Sequence, residues 1–334
     1  MTLEAGVPRG EGRVGLAACI CTHNPRMEVL RWTIASLARQ TVPPGTFEVL
    51  IVDNASHPPL GEEVLSPLRT RGIPARIRRE ERPGVAQARL HAIRETKAGW
   101  ILFVDDDNEL AETFVEEGLR FLGSRADVGC FGGKLLLPPA LRPPSWARPF
   151  LGYLAIKDLG EEVIAGIADH WGEWEPPTAG AFVRRDIAEA FRERVEADGT
   201  LLRLGRRGRN GVASCEDSLM MRQALWLGAL NAYVPRLRLQ HHIDERRLRF
   251  GYLLRLMAGY GRSLVLLEKV ERAHGGEDLV IPPFYRRPWR FVRLLLSELN
   301  HARRRTSLAF GMGMVAYHWN ARREYLSRKT SHAL

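Results

Sequence analysis

The first 125 residues alternate between near-continuous apolar runs and stretches of helical period, and that rhythm limits the fold more than any other feature of the chain. Val14–Cys21, Phe47–Val52 and Trp100–Val104 are short, apolar and rich in β-branched residues, which reads as strands buried on both faces. Between them, residues 26–39 carry Leu30, Ile34 and Leu37 on one face, and residues 85–97 carry Val85, Ala88, Ala92 and Ile93. Pro43-Pro44-Gly45 ends the first of these helices. A weaker strand is expected at Ala75–Arg78 and a helix at Leu110–Leu122, with Asn108 available as its cap. The succession predicts an α/β fold with a doubly wound, mixed but mainly parallel sheet. Ligands of such sheets lie beyond the carboxyl ends of the strands. Asp53 and the run Asp105-Asp106-Asp107 both fall at such ends, so two acidic sites distant in sequence share one rim.

After residue 125 the pattern loosens. Strands are expected at Asp127–Leu137, Thr178–Val183 and Ala232–Leu239, and helices at Arg185–Phe191 and Glu216–Gly228. A Pro-rich connection, 138–149, carries Trp146, and the irregular stretch 150–177 carries Trp171 and Trp174. From about Leu248 the chain is helical and basic, split by Pro282-Pro283 and Pro288.

With 334 residues, 45% of them apolar, the chain can bury one large core or two modest ones. Its net charge of +10 points to an anionic partner: a nucleotide diphosphate, an anionic membrane surface or nucleic acid. Arg206, Arg207 and Arg209 form one cluster; Arg286, Arg287, Arg290, Arg293 and Arg303–Arg305 form another. Cys19, Cys21, Cys130 and Cys215 include no CxxC pair and read as buried free thiols of a reducing compartment. The first residues lack an apolar signal core, and no uncharged stretch reaches the roughly 18–20 residues of a membrane span. A soluble, cytoplasmic protein that can touch a membrane is therefore expected.

Three adjacent carboxylates repel one another unless a cation offsets them. Hard oxygen ligands suit Mg2+ or Mn2+, and in an extended segment Asp105 and Asp107 point to the same side. The plain alternative is an acidic helix cap. Glu216-Asp217 opens a helix, where the dipole favours carboxylates, and Asp217 is also placed to act as a base toward an acceptor hydroxyl. His241-His242 follows a strand and offers a metal ligand or a plain core-edge histidine. Asp53 suits turn chemistry or a nucleobase or ribose, and Gly84 and Arg89 suit a phosphate or an ordinary helix start. Trp146, Trp171 and Trp174 suit sugar stacking or packing.

Taken in order, these segments resemble the family 2 glycosyltransferases with the GT-A fold, over about Gly15 to Ser263. Ala18-Cys19-Ile20-Cys21-Thr22-His23-Asn24 is similar to the family's first strand and turn, which implies that Thr22 and Asn24 meet the nucleobase. Val52-Asp53-Asn54-Ala55-Ser56 is similar to its second-strand motif, and Gly84–Arg89 to its Gly-x-x-x-Ala-Arg helix start. Val104-Asp105-Asp106-Asp107 resembles its DxD element, which implies Asp106 at the ribose and Asp107 at the metal. Ala179-Gly180-Ala181 is similar to its acceptor-side segment, and Ser214-Cys215-Glu216-Asp217 to its Gly-Glu-Asp element, with Cys215 in place of the usual Gly. The resemblance implies Asp217 as base beside Glu216, and His241 as the better-aligned metal ligand.

The resemblance thus implies an inverting, metal-dependent enzyme that uses Mn2+ or Mg2+ and moves a sugar from a nucleotide-diphosphate donor to a glycan or lipid-linked acceptor. The polar, Gly-rich residues 1–13 read as a disordered lead, and the chain then divides into a catalytic domain over 14–245, with a nucleotide-binding half to 125 and an acceptor half beyond. A basic helical extension, 246–334, would follow and meet a membrane peripherally. A nucleotidyltransferase acting on sugar phosphates is the first rival. It usually has a Gly-rich phosphate loop after the first strand, where this chain has Thr22-His23-Asn24-Pro25. A basic nucleic-acid-binding protein is the second, but the acidic rim repels phosphate without a metal, and no nucleic-acid partner is expected.

Overall fold

The structure is a computed structural model that describes residues 15–167, 172–206 and 215–327. The expected lead 1–13, Val14, Trp171, Arg207, Arg209 and Ser214 lie outside the described residues, as does the side chain of Arg305.

The chain forms two compact units. The first holds the chain up to Pro138, Ala155–Leu202 and Asp217–His242; the second holds Pro139–Leu154, Arg203–Glu216 and the chain from Ile243 on.

The first unit is built on one nine-stranded sheet. Its elements run β1 (Leu16–Thr22), α1 (Met27–Ala38), β2 (Phe47–Asn54), α2 (Ser66–Thr70), β3 (Ala75–Glu80), α3 (Val85–Glu95), β4 (Trp100–Asp105), β5 (Asn108–Leu110), α4 (Phe114–Leu122), β6 (Val128–Leu136), β7 (Ile164–Gly166), β8 (Ala181–Arg184), α5 (Arg185–Ala197), α6 (Glu216–Trp226) and β9 (Leu230–His241). The strand order is β3-β2-β1-β4-β8-β6-β9-β5, with β7 against β9. The long pairs β1–β2, β1–β4, β2–β3 and β6–β9 are parallel, and the short pairs made by β5, β7 and β8 are antiparallel. The expected mixed, mainly parallel α/β sheet is therefore present. Strands β1, β2 and β4 are buried along almost their whole length, as their continuous apolar sequences require. Leu30, Ile34 and Leu37 of α1 are fully buried on the face predicted from their spacing.

Residues 108–122 differ from the single capped helix expected there. Asn108–Leu110 is an edge strand paired with β9, and the helix starts only at Phe114. Asn108 is buried, and its Oδ1 accepts the N–H of Asp105 at 3.0 Å. Asn108 caps the turn of the acidic run instead of a helix, because pairing with a distant strand outweighs local helical preference.

Strand β9 carries Pro235 in its interior, which removes one ladder donor. The β6–β9 register slips there, from Gly132 opposite Tyr233 to Lys134 opposite Arg238. The bulged backbone presses on Gly133, where a Cβ would lie 2.0 Å from the Leu237 carbonyl oxygen. Beyond the bulge β9 runs on to pair His241 with Asn108.

In the second unit α7 (Phe250–His274), α8 (Pro283–Arg286), α9 (Pro288–Arg305) and α10 (Leu308–Ser327) pack with a 3-10 stretch, Ser145–Leu154. Trp146 meets Phe250 edge-on at 6.0 Å, and Phe150 meets Phe310 at 5.1 Å. Helices α7 and α10 touch through Gly261, where a Cβ would lie 2.2 Å from the Tyr317 carbonyl oxygen. Among the described residues, no helix is long and apolar enough to cross a membrane.

Gly133→Ala is expected to lower the free energy of unfolding by about 1–3 kcal/mol, since neither backbone can retreat from the new methyl group. Gly99→Ala, whose Cβ would meet only an ordinary 3.7 Å contact, is the control and is expected to be near neutral. Urea unfolding midpoints check both.

Candidate active site

Parallel register builds the rim. Thr22 stands opposite Asp53, and Cys21 opposite Asp105, so β1, β2 and β4 end together. The tight turn after β4 carries Asp106 and Asp107, and β9 arrives beside it: the His242 N–H donates to the Asp107 carbonyl at 2.8 Å.

That pairing sets His241 against Asp107, with Nε2 3.1 Å from Oδ1. Asp105, Asp107 and His241 each offer a ligand atom, and the three atoms lie within 4.8 Å of one another. His241 is buried, and its Nδ1 has no hydrogen-bond partner among the described residues. Two hard carboxylates with one imidazole fit a divalent cation. His242 instead turns toward Glu109, 2.9 Å away, and its ring lies 4.9 Å from that of Trp32.

Asp106 faces a different partner, accepting from the Thr22 hydroxyl. Burial, with the adjacent Asp107 carboxylate, pushes its carboxyl up to about 7, while the Thr22 hydrogen bond opposes the rise. Two arginines stand over the cluster. Arg89, buried on α3, lies 3.7 Å from Asp105 and donates to the Thr178 hydroxyl. Arg26 donates to the His242 carbonyl and lies 3.9 Å from Asp107. Arg26 escaped the reading of the sequence; its only signal was its place just after the first strand's turn.

The loops beyond β1 and β2 are tied together. Asn24, at φ 48°, donates its backbone N–H to the Ser56 hydroxyl at 2.9 Å and accepts the His57 N–H at 2.8 Å. Asp53 is buried. One of its oxygens accepts the Ser56 N–H, and the other accepts the Leu60 N–H and pairs with Arg79 at 2.8 Å. Both of its oxygens are thus engaged in shaping the turn. Asn54 was missed and is central: its amide donates to the Glu80 and Arg82 carbonyls and accepts the Gly84 N–H at 2.7 Å. Gly84, at φ 140°, adopts backbone that only glycine takes readily, and α3 with Arg89 starts from it.

On the other half, Gly180, at φ 74°, donates its N–H to the Phe103 carbonyl, and a Cβ there would lie 2.5 Å from the Leu239 side chain. Trp174 donates to the Gly166 carbonyl at 3.3 Å and is half-buried. Glu216 and Asp217 open α6. Asp217 accepts the Ser218 N–H at 2.8 Å, and Glu216 accepts the Cys215 N–H at 3.3 Å. Lys157 feels the negative field of Asp217, and its ammonium donates to the Glu173 carbonyl at 2.6 Å and to that of Glu175. Burial brings the Lys157 ammonium down to about 8, with nearby Glu175 and Asp217 opposing that fall. Glu175 is buried against Arg222 at 2.5 Å. A chain of contacts thus leads from the acidic cluster through Arg89 to Thr178, and along segment 173–178 to Lys157, which lies in the field of Asp217.

Residues 17–134 match the family model for glycosyl transferase family 2. The chain carries a family 2 glycosyltransferase segment. Glycosyl transfer is the activity class that goes with it, and the acidic cluster lies within or against that segment. No curated protein matches the sequence. Among solved structures, mannosyltransferase PcManGT from Pyrobaculum calidifontis, in complex with GDP-Man and Mn2+, superposes with a TM-score of 0.53 at 15% identity, covering 96% of this chain and 89% of that one. S. aureus TarS 1-349 in complex with UDP gives 0.46 at 14% identity, covering 94% and 91%. At such identity the first likeness shows the GT-A type fold and nothing finer, and nothing rests on the second.

Asn54→Ala is expected to cost about 1–3 kcal/mol, because it leaves the Gly84 N–H without its acceptor. Urea unfolding measures the loss, and faster amide exchange at Gly84 locates it.

Proposed function

We propose that the protein is an inverting glycosyltransferase that moves a sugar from a nucleotide-diphosphate donor to a glycan or lipid-linked acceptor, as in cell-envelope polysaccharide synthesis. The convergence of Asp105, Asp107 and His241 at the end of β4 carries the reading. Neither rival, nucleotidyltransferase or nucleic-acid binder, has an observation in its favour.

In this reading Thr22, Asn24 and the Asp53 turn frame the nucleobase, and Asp106 meets the ribose. Gly84 and Arg89 approach the phosphates, where Arg89 presents a planar cation already oriented by Thr178. Asp107, Asp105 and His241 would hold Mn2+ or Mg2+, which would supply positive charge to offset that of the diphosphate. The mannosyltransferase neighbour, solved with GDP-Man and Mn2+, supports the class of donor and leaves this chain's sugar open.

Asp217 is the base. The start of α6 and the Lys157 ammonium both favour its ionised form, so it can accept the proton of the acceptor hydroxyl as that oxygen attacks the anomeric carbon. Attack on the face opposite the leaving diphosphate inverts that carbon. Glu216 anchors the helix start beside it through the Cys215 N–H. Trp171, Trp174 and the Gly180 segment form the acceptor side, with Gly180 acting through the close packing that its missing side chain permits. The catalytic domain spans 14–245 and the basic extension 246–334. We place the enzyme in the cytoplasm, peripheral to the inner face of the membrane.

Asp217→Asn is expected to retain nucleotide-sugar binding by calorimetry and to lose transfer by at least about 100-fold, the low end for a general base. Full transfer by this variant would remove Asp217 from the role. Asp107→Asn is expected to abolish the manganese dependence of nucleoside diphosphate binding, read as the metal-induced shift in melting temperature.

A further inference from the structure

Exposed apolar side chains are unevenly spread. Of the twelve large hydrophobic residues exposed among the described residues, eight fall between Val280 and Trp319, all in the second unit. Trp289, Val292 and Leu296 of α9 are exposed by 57%, 54% and 62%, and their spacing of three and four residues puts them on one stripe. Leu308, Met312 and Trp319 of α10, at spacings of four and seven, make a second stripe. The Trp319 ring lies 5.8 Å from that of Phe291, which brings part of the exposed indole alongside α9. Phe284 of α8 adds a further exposed ring.

Positive charge surrounds these stripes. Arg286, Arg287, Arg290, Arg293, Arg303 and Arg304 are all exposed, and between Pro283 and Arg305 the only acidic residue is Glu298. The Arg290 guanidinium lies over the Trp289 ring at 5.1 Å, so cation and indole are presented together.

We propose that α8, α9 and α10 form a docking surface for an anionic lipid bilayer. Amphipathic helices with aromatic and aliphatic residues on one face and arginine around it settle at the headgroup boundary, apolar side down. Arginine contributes attraction to anionic headgroups that fades beyond a Debye length. No described helix can span the bilayer, so the contact is peripheral. A second copy of this chain is a poor occupant, because it would bring one arginine-rich face against another. Nucleic acid would use the arginines and leave seven large apolar side chains in water. The proposal gives the membrane contact of the preceding section a named surface, and it stands or falls apart from the chemistry at Asp107 and Asp217.

The test is flotation of the full chain with vesicles of phosphatidylcholine alone, and of phosphatidylcholine with phosphatidylglycerol. The protein is expected to bind the anionic vesicles, weakly if at all the neutral ones, and less at high salt. Trp289→Ser with Leu296→Ser, and separately Arg290→Glu with Arg293→Glu, are each expected to weaken binding by about tenfold or more. These four side chains are exposed, so melting temperature and metal-dependent nucleotide-sugar hydrolysis should match the unmodified chain, which shows that the variants are folded. Trp32→Ser, an exposed tryptophan of the other unit, should bind as before. The proposal is overturned by equal binding to both vesicle types, by unchanged binding of both double variants, or by displacement from anionic vesicles by duplex DNA at matched charge. It is also overturned if either double variant merely dissociates an oligomer. Loss of hydrolysis in Asp107→Asn with vesicle binding intact would separate the two claims.

Discussion

Everything at the rim follows from crowding three carboxylates at the end of one buried strand. Asp105, Asp106 and Asp107 repel one another in a place partly shut off from water, and Asp106 shows the cost in its raised affinity for a proton. The fold answers with positive or polarisable groups from three directions. Arg89 comes from α3, Arg26 from the loop before α1, and His241 from β9. None of these is a sequence neighbour of the cluster, so the sheet topology itself makes the site. The bulge at Pro235 belongs to the same arrangement: without the space left at Gly133, β9 could not hold its pairing on both sides of the proline and reach β5.

The loops beyond β1 and β2 are organised by backbone knots. Asn24 and Asn54 each spend their amides on neighbouring loops, and Asp53 spends both oxygens on its own turn and on Arg79. Loops tied in advance have little conformational freedom left to lose. The same economy explains why Gly84 stands where α3 begins, since a side chain there would strain the one connection that aims Arg89.

Local signals made much of this legible. Unbroken apolar runs announce β1, β2 and β4, and Asp53 and Asp105 at their ends mark the shared rim. His241 could be preferred over His242, and the structure turns only His241 toward Asp107. What stayed hidden depended on long-range pairing. Asn108 looked like a helix cap because nothing nearby reveals that β9 will claim it as a strand. Arg26 lies in no motif and Asn54 sits beside Asp53 without a role that its motif reveals; their importance arises from loops 216 and 30 residues distant in sequence. For Trp146 the sequence left sugar stacking and packing open, and the ring packs on Phe250.

The start of α6, with Asp217, lies far in sequence from the acidic cluster at the end of β4. Segment 173–180 supplies the link. At one end the Gly180 N–H is bonded to the Phe103 carbonyl, inside β4 itself. At the other, Glu175 is buried against Arg222 of α6, and Lys157 grips the carbonyls of Glu173 and Glu175. Burying that ion pair costs desolvation, and a well-packed apolar pair would hold the two elements together at least as firmly. An apolar pair, however, would tolerate sliding, whereas here the Glu175 carboxylate is held to the Arg222 guanidinium and the Glu175 carbonyl to the Lys157 ammonium. The cluster therefore serves position more than stability, and the position it holds is that of Asp217 at the start of the same helix.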